Sequence, residues 1–156
     1  MSIGKSAADA ANFDVAALPK GRELLYPGVA NVIGNALRDL NLEDVERADD
    51  TAPDKPVQVE YRTFDGLVVR ITGAKRGDDA WITVVASVDA EQAAAKPADA
   101  DAKPADAKPA EAAAQPDPTA EAQRINARVS AWRYKLATFQ YDQMTRRMND
   151  LLKPAG

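Results

Sequence analysis

The chain has 156 residues and a formal charge of −4, a size at which one domain can bury a core without staples. It contains neither Cys nor His, which excludes disulfides, thiolate or imidazole metal sites, and any Ser-His-Asp or Cys-His catalytic machinery. Aromatic residues make only 6% of the chain and Ala supplies much of its apolar share, so the core-forming residues must be concentrated in part of it.

Residues 1–10 are small and polar and are expected to be a flexible N-terminus. They lack the apolar centre of a signal peptide, and no run approaches the roughly 20 apolar residues that span a bilayer; the chain as given is expected to be soluble. A strand is predicted over residues 12–18, followed by a turn at Pro19-Lys20-Gly21. A helix then starts at Pro27, whose ring suits the first helical position. Val29, Val32, Ile33, Ala36, Leu37 and Leu40 form its apolar stripe, with Asn31, Asn35, Arg38 and Asp39 facing away. Asn41 is expected as a left-handed cap, and a short strand follows over residues 42–47.

The next two strands flank Asp65-Gly66, and their register follows from face matching. A two-residue turn wastes the apolar alternation, whereas a three-residue loop sets Thr63 opposite Leu67, Tyr61 opposite Val69 and Val59 opposite Ile71 on one face. Gly66 is then left-handed in a bulge, and Glu60 lies opposite Arg70 on the other face. A loop is expected from residue 73 to 79. The strand after it, over residues 80–88, places Ile82, Val84, Ala86 and Val88 on one side and Trp81 and Val85 on the other, so both of its faces are expected to be covered.

Residues 89–124 contain no Val, Ile, Leu, Met, Phe, Tyr or Trp and hold five of the ten prolines. Such a segment cannot bury enough surface to offset its ordering entropy, and residues 89–118 are expected to be a disordered, low-complexity Ala/Pro/Lys/Asp insertion. Only 38 residues follow it, too few to fold alone, so residues 11–88 and 119–154 are expected to share one domain. A helix over residues 119–131 carries Ala122, Ile125 and Val129. A strand follows with Trp132, Tyr134 and Leu136 inward, and a last helix from Gln140 buries Tyr141, Met144, Met148, Leu151 and Leu152 before Pro154. The predicted class is α+β, an antiparallel sheet with amphipathic helices packed on it.

Charge is uneven. Residues 1–88 carry 10 basic and 14 acidic side chains, residues 89–118 carry 3 and 7, and residues 119–156 carry 7 and 3. The acidic body argues against general nucleic-acid binding, and the basic tail, with Arg124, Arg128, Arg146, Arg147 and Lys153, complements that body. The carboxylates cluster beside turns, and none is embedded in an apolar run as a raised-pKa acid requires. Residues 49–54 hold several acids but lack the loop glycine and terminal Glu of a calcium loop. No catalytic residue, cofactor or metal ligand is predicted. Two readings fit the sheet face opposite the hairpin's core: burial beneath one of the chain's own helices, which Trp81 and Val85 ask for, or a docking surface where Trp81 is an anchor ringed by Arg62 and Arg70, with Val68 and Val85 beside them.

Gly21-Arg22-Glu23-Leu24, Tyr26-Pro27-Gly28-Val29-Ala30-Asn31, Leu40-Asn41-Leu42-Glu43-Asp44-Val45, Tyr61-Arg62-Thr63-Phe64-Asp65-Gly66-Leu67, Trp132-Arg133-Tyr134-Lys135-Leu136 and Thr145-Arg146-Arg147-Met148-Asn149-Asp150-Leu151-Leu152 follow one another in an order that resembles the C-terminal part of the bacterial family called domain of unknown function 4340. The resemblance implies an N-terminal membrane anchor absent from this chain, an extracytoplasmic body on the periplasmic face of the inner membrane, and an accessory role in an ABC-type transport assembly. It carries over no catalytic residue. The function expected is a non-enzymatic binding or scaffold domain whose partners are membrane transport or envelope subunits. The alternatives are a carboxylate-based hydrolase or carbohydrate-acting enzyme, a small-ligand sensor domain, and a cytoplasmic location.

Overall fold

The computed structural model describes residues 1–49, 53–89 and 117–154. Strands β1 (Ile3–Gly4) and β2 (Asp14–Val15) form a two-stranded sheet. Strands β3 (Leu42–Arg47), β4 (Val57–Arg62), β5 (Leu67–Arg76), β6 (Asp79–Val88) and β7 (Trp132–Leu136) form a second sheet in the order β3-β7-β6-β5-β4, antiparallel throughout. With helices α1 (Asn31–Gly34), α2 (Pro118–Val129) and α3 (Thr138–Met144), the fold is α+β.

The β4–β5 hairpin has the three-residue register. Tyr61 faces Val69 and Val59 faces Ile71, the Thr63 N–H donates to the Leu67 carbonyl at 2.9 Å, and Gly66 takes φ +92°, a conformation that costs Gly little. The loop expected over residues 73–79 is instead sheet up to Arg76, turned by Gly77-Asp78 alone, with Gly77 at φ +63°. The cause lies in Gly73, which marks a close approach and not a loop: a Cβ there would stand 2.6 Å from Cε2 of Tyr141.

One face of the sheet is closed by α1 and α3. Ile71, Ala80, Ile82, Leu136, Tyr141 and Met144 form its buried centre, with Leu37, Leu40, Tyr61, Val69 and Tyr134 packed around them. Strand β7 therefore brings residues from beyond position 117 into contact with β3 and β6, Leu136 opposite both Leu42 and Ala80. Of the insertion expected over residues 89–118, residues 90–116 lie outside the described part. Its far boundary moves, because Asp117 is already the cap of α2, accepting from the Thr119 and Ala120 N–H groups, and Pro118 is the first helical residue.

The N-terminal third departs most from expectation. Ordered pairing begins at Ile3–Gly4 instead of residue 11, and the strand expected over residues 12–18 is reduced to Asp14–Val15, ended by Ala17 at φ +56°. The helix expected from Pro27 is a single turn at Asn31–Gly34 flanked by tight turns. Gly28 at φ +81° breaks its start, and Gly34 lies where the Phe13 ring would leave a Cβ only 2.5 Å. The apolar stripe is still used, but divided: Val29 and Ile33 join Leu151 in a second cluster with Ile3, Val15 and Leu24, while Ala36, Leu37 and Leu40 join the sheet's core. Asn31, expected to face away, accepts from the Phe13 N–H and donates to Asn12 Oδ1, both at 2.8 Å.

Asn41 is not left-handed; positive φ among non-glycine described residues occurs at Ala17 and Lys55. The buried amide of Gln140 does the capping instead, donating to the Asp39 carbonyl at 2.7 Å and accepting from the Asn41 N–H at 3.2 Å. The closing helix buries Tyr141, Met144, Leu151 and Leu152 as expected, but it is interrupted after Met144 and resumes as a short 3-10 turn over Met148–Leu151.

Candidate functional site

Side-chain alternation places Gln58, Glu60 and Arg62 of β4, Val68, Arg70, Thr72, Ala74 and Arg76 of β5, and Trp81, Thr83, Val85 and Ser87 of β6 on the face opposite the core. Arg133 and Lys135 of β7 continue it across the sheet. Gln58, Glu60, Arg62, Arg70 and Ser87 are exposed, and Val85 is 51% exposed. The expectation that both faces of β6 are covered therefore fails at Val85 and Ser87.

The predicted site residues are divided between two ends of this face. Arg70 stands opposite Val85, and Arg62 opposite Val68. Val68 itself is buried, so it sits beneath the surface it was expected to share. Glu60 holds both arginines, at 2.7 Å to Arg62 and 2.8 Å to Arg70, and Arg62 also pairs with Asp89. The hydrogen bonds from Arg70 and then Arg62 keep the Glu60 carboxyl below its ordinary pKa.

Trp81 is at the other end, opposite Ala74 on one side and Lys135 on the other. The Arg76 guanidinium lies 5.7 Å from its ring centroid, within cation–π range. Arg76 also pairs with Glu46 at 2.8 Å, and Glu46 takes Arg133 at 3.2 Å, which in turn reaches Asp49 at 2.8 Å. Lys135 pairs with Asp79 at 2.8 Å. Trp81 is thus accompanied by Arg76 and Lys135, not ringed by Arg62 and Arg70. Once 73–79 is taken as strand, alternation alone carries Arg76 to the Trp81 face; the loop reading hid that signal.

Strand β7 corrects a second expectation. Trp132, expected in the core, is 36% exposed, and Arg133 is 6% exposed. The core under α1 and α3 reaches Leu136 and Tyr134 but stops before Trp132, which stacks under Arg47 at 5.4 Å. Arg133 is shielded because Glu46 and Asp49 close over it. Of the tail cations expected to complement the acidic body, Lys153 does so through Glu23, whereas Arg124 pairs with Glu121 inside the tail; the other contacts to the body come from Arg133 and Lys135 of β7, with Glu46 and Asp79.

Among the described residues the buried polar side chains are Arg133 and Gln140, and no carboxylate is buried. No group of three or more Asp or Glu side chains there could hold a metal ion, and no helix is long and apolar enough to cross a membrane. Compared with family models, curated proteins and solved structures, the chain matches none.

Proposed function

We propose that the chain is a non-enzymatic binding or scaffold domain, accessory to an ABC-type membrane transport assembly and placed on the periplasmic face of the inner membrane. The observation that carries the binding role is the open sheet face, in which exposed Val85 and half-buried Trp81 lie among charges that already neutralise one another. Burying pre-paired charges under a partner costs less than burying lone ones, and a face of mixed sign suits a protein better than nucleic acid or an anionic bilayer, which select for excess positive charge. That no described carboxylate is buried supports binding over carboxylate chemistry, since a general acid needs an apolar pocket to raise its pKa. The transport assignment and the location rest on the family resemblance.

A photo-crosslinking residue at Val85, introduced into the protein in its host cell, tests the reading. The expected adduct contains a membrane-embedded or ATPase subunit of an ABC-type transporter and disappears when Trp81 is changed to Ala. Adducts confined to proteins outside the envelope, or none from Val85, overturn it.

A further inference from the structure

On the covered side of the sheet, the start of β4, the end of β5 and the chain from α3 onward enclose a groove of about 350 Å³, lined among others by Lys55, Lys75, Tyr141, Asp142, Thr145 and Arg147. That volume is at the small end of ligand sites. Its floor is built: the Tyr141 ring is fixed across Gly73, where a Cβ would meet it at 2.6 Å, and the residue is only 5% exposed. Its hydroxyl has no hydrogen-bond partner among the described residues, yet no fully buried polar atom there is unsatisfied, so the hydroxyl opens to solvent. Burial holds its pKa above the ordinary 10.0, opposed by Lys75 and aided by Asp142, so it stays a donor, and Lys75 Nζ lies 5.8 Å from the ring centroid.

The charges lining this groove are unequal in their commitments. Lys75 is neutralised by Asp142 at 2.8 Å. Lys55 and Arg147 have no ion-pair partner among the described residues, and Asp54 is the lining's other acid, leaving three cations against two anions. The Thr145 hydroxyl donates to the Tyr141 carbonyl at 2.8 Å, so its proton is turned away from the groove. Lys55 is held at φ +47°, a conformation that is unfavourable for a residue with a Cβ and that clusters at ligand sites. The free donors of the groove are therefore an ammonium, a guanidinium and a phenol, a set that matches the oxygens of a small anion.

We infer that this groove binds a small oxyanion, a carboxylate or a phosphate group, through Lys55, Arg147 and the Tyr141 hydroxyl. The full chain, isotope-labelled and kept at low ionic strength so that exposed charges are not screened, is titrated by NMR with inorganic phosphate in one arm and succinate in a second. Sodium chloride at matched ionic strength is the control. Saturable shifts over residues 54–57 and 141–147 are expected in at least one arm, and the arm with the lower midpoint identifies the anion. Arg147→Gln and Lys55→Gln, at exposed positions, should each raise the midpoint roughly ten-fold, the scale of a lost charge-assisted hydrogen bond. Tyr141→Phe, which keeps the ring over Gly73, should raise it several-fold. Shifts that fail to saturate, shifts that sodium chloride reproduces, or midpoints unmoved by Arg147→Gln and Lys55→Gln overturn the proposal.

Discussion

The two faces of the five-stranded sheet are made from the same strands, often from adjacent residues, and hold themselves together by different physics. On one face Ile71, Ile82 and Leu136 are buried under Tyr141 and Met144, where each side chain removes apolar area from water. On the other, Glu60, Arg70, Arg76, Glu46 and Arg133 meet as ion pairs at 2.8–3.2 Å, most of them solvent-accessible. Exposed pairs contribute little to stability, with a median near 0–1 kcal/mol. The first face accounts for most of the fold; on the second, Val68, Ala74 and Arg133 are buried, while Arg62, Arg70 and Val85 are exposed and can change at little cost in stability.

Substitutions at neighbouring positions of β6 should separate the faces most widely. Ile82→Ala is expected to cost about 3–4 kcal/mol in chemical denaturation, whereas Val85→Ala should cost less than about 0.5 kcal/mol; equal costs would mean that both faces are covered. Trp81 tests the middle ground. A fully buried Trp truncation costs about 3–5 kcal/mol, and half-buried Trp81→Ala should cost about 1–2 kcal/mol, measured the same way. Arg133→Met removes a shielded cation but leaves Glu46 with Arg76 and Asp49 accessible to water, so its cost should stay near 1 kcal/mol.

Titration sharpens the contrast further. Glu60 has a folded pKa below its ordinary value of 4.5, so its contribution is present above that value and is lost as pH falls through the lower folded one. The gap in stability between the parent and Glu60→Gln, below about 1 kcal/mol at neutral pH, should close on going to strongly acidic solution. Tyr61 belongs to the covered face and behaves oppositely. Burial pushes its phenol from 10.0 up to about 12, and its hydroxyl donates to the Ile33 carbonyl at 3.3 Å. The contribution of its neutral form is complete below pH 10.0 and lost as pH rises through about 12. Around neutrality stability should therefore not vary with pH on its account, and absorbance titration should show a tyrosinate step near 12 that Tyr61→Phe abolishes.

How much of this was legible in the sequence differs by element, for physical reasons. The β4–β5 register followed from matching apolar partners across a glycine turn, because alternation with period two leaves little freedom. The N-terminal helix did not follow, since a helical stripe shows which residues are buried but not that Phe13 will lie on Gly34. Gly73 was ambiguous for the same reason, its role depending on Tyr141, 68 positions away in the chain. Alternation also placed Trp132 and Arg133 on opposite faces correctly; what it could not supply is where along β7 the helices stop covering the core. The open face was partly legible, its arginine assignments failing only where the loop reading cut β5 short. The groove beside Tyr141 had no sequence signal, because its cations come from separate segments.

The chain leaves the sheet and returns to it at two anchored points. At the exit, the Asp89 N–H donates to the Gly66 carbonyl at 2.8 Å and the Asp89 carboxylate meets Arg62. At the return, Asp117 caps α2, and about two and a half helical turns later Asn126 clasps β6, its Oδ1 accepting from the Ala86 N–H at 2.8 Å and its Nδ2 donating to the Ala86 carbonyl at 2.7 Å. A single amide thereby occupies the rung that β7, which pairs with β6 only at Ala80–Ile82, does not reach. Because both moorings are local, the number of residues strung between them is uncoupled from the geometry of the strands. A change in the number of residues between Asp89 and Asp117 is therefore expected to leave the pairing of Tyr61 with Val69 and of Ala80 with Leu136 as it is.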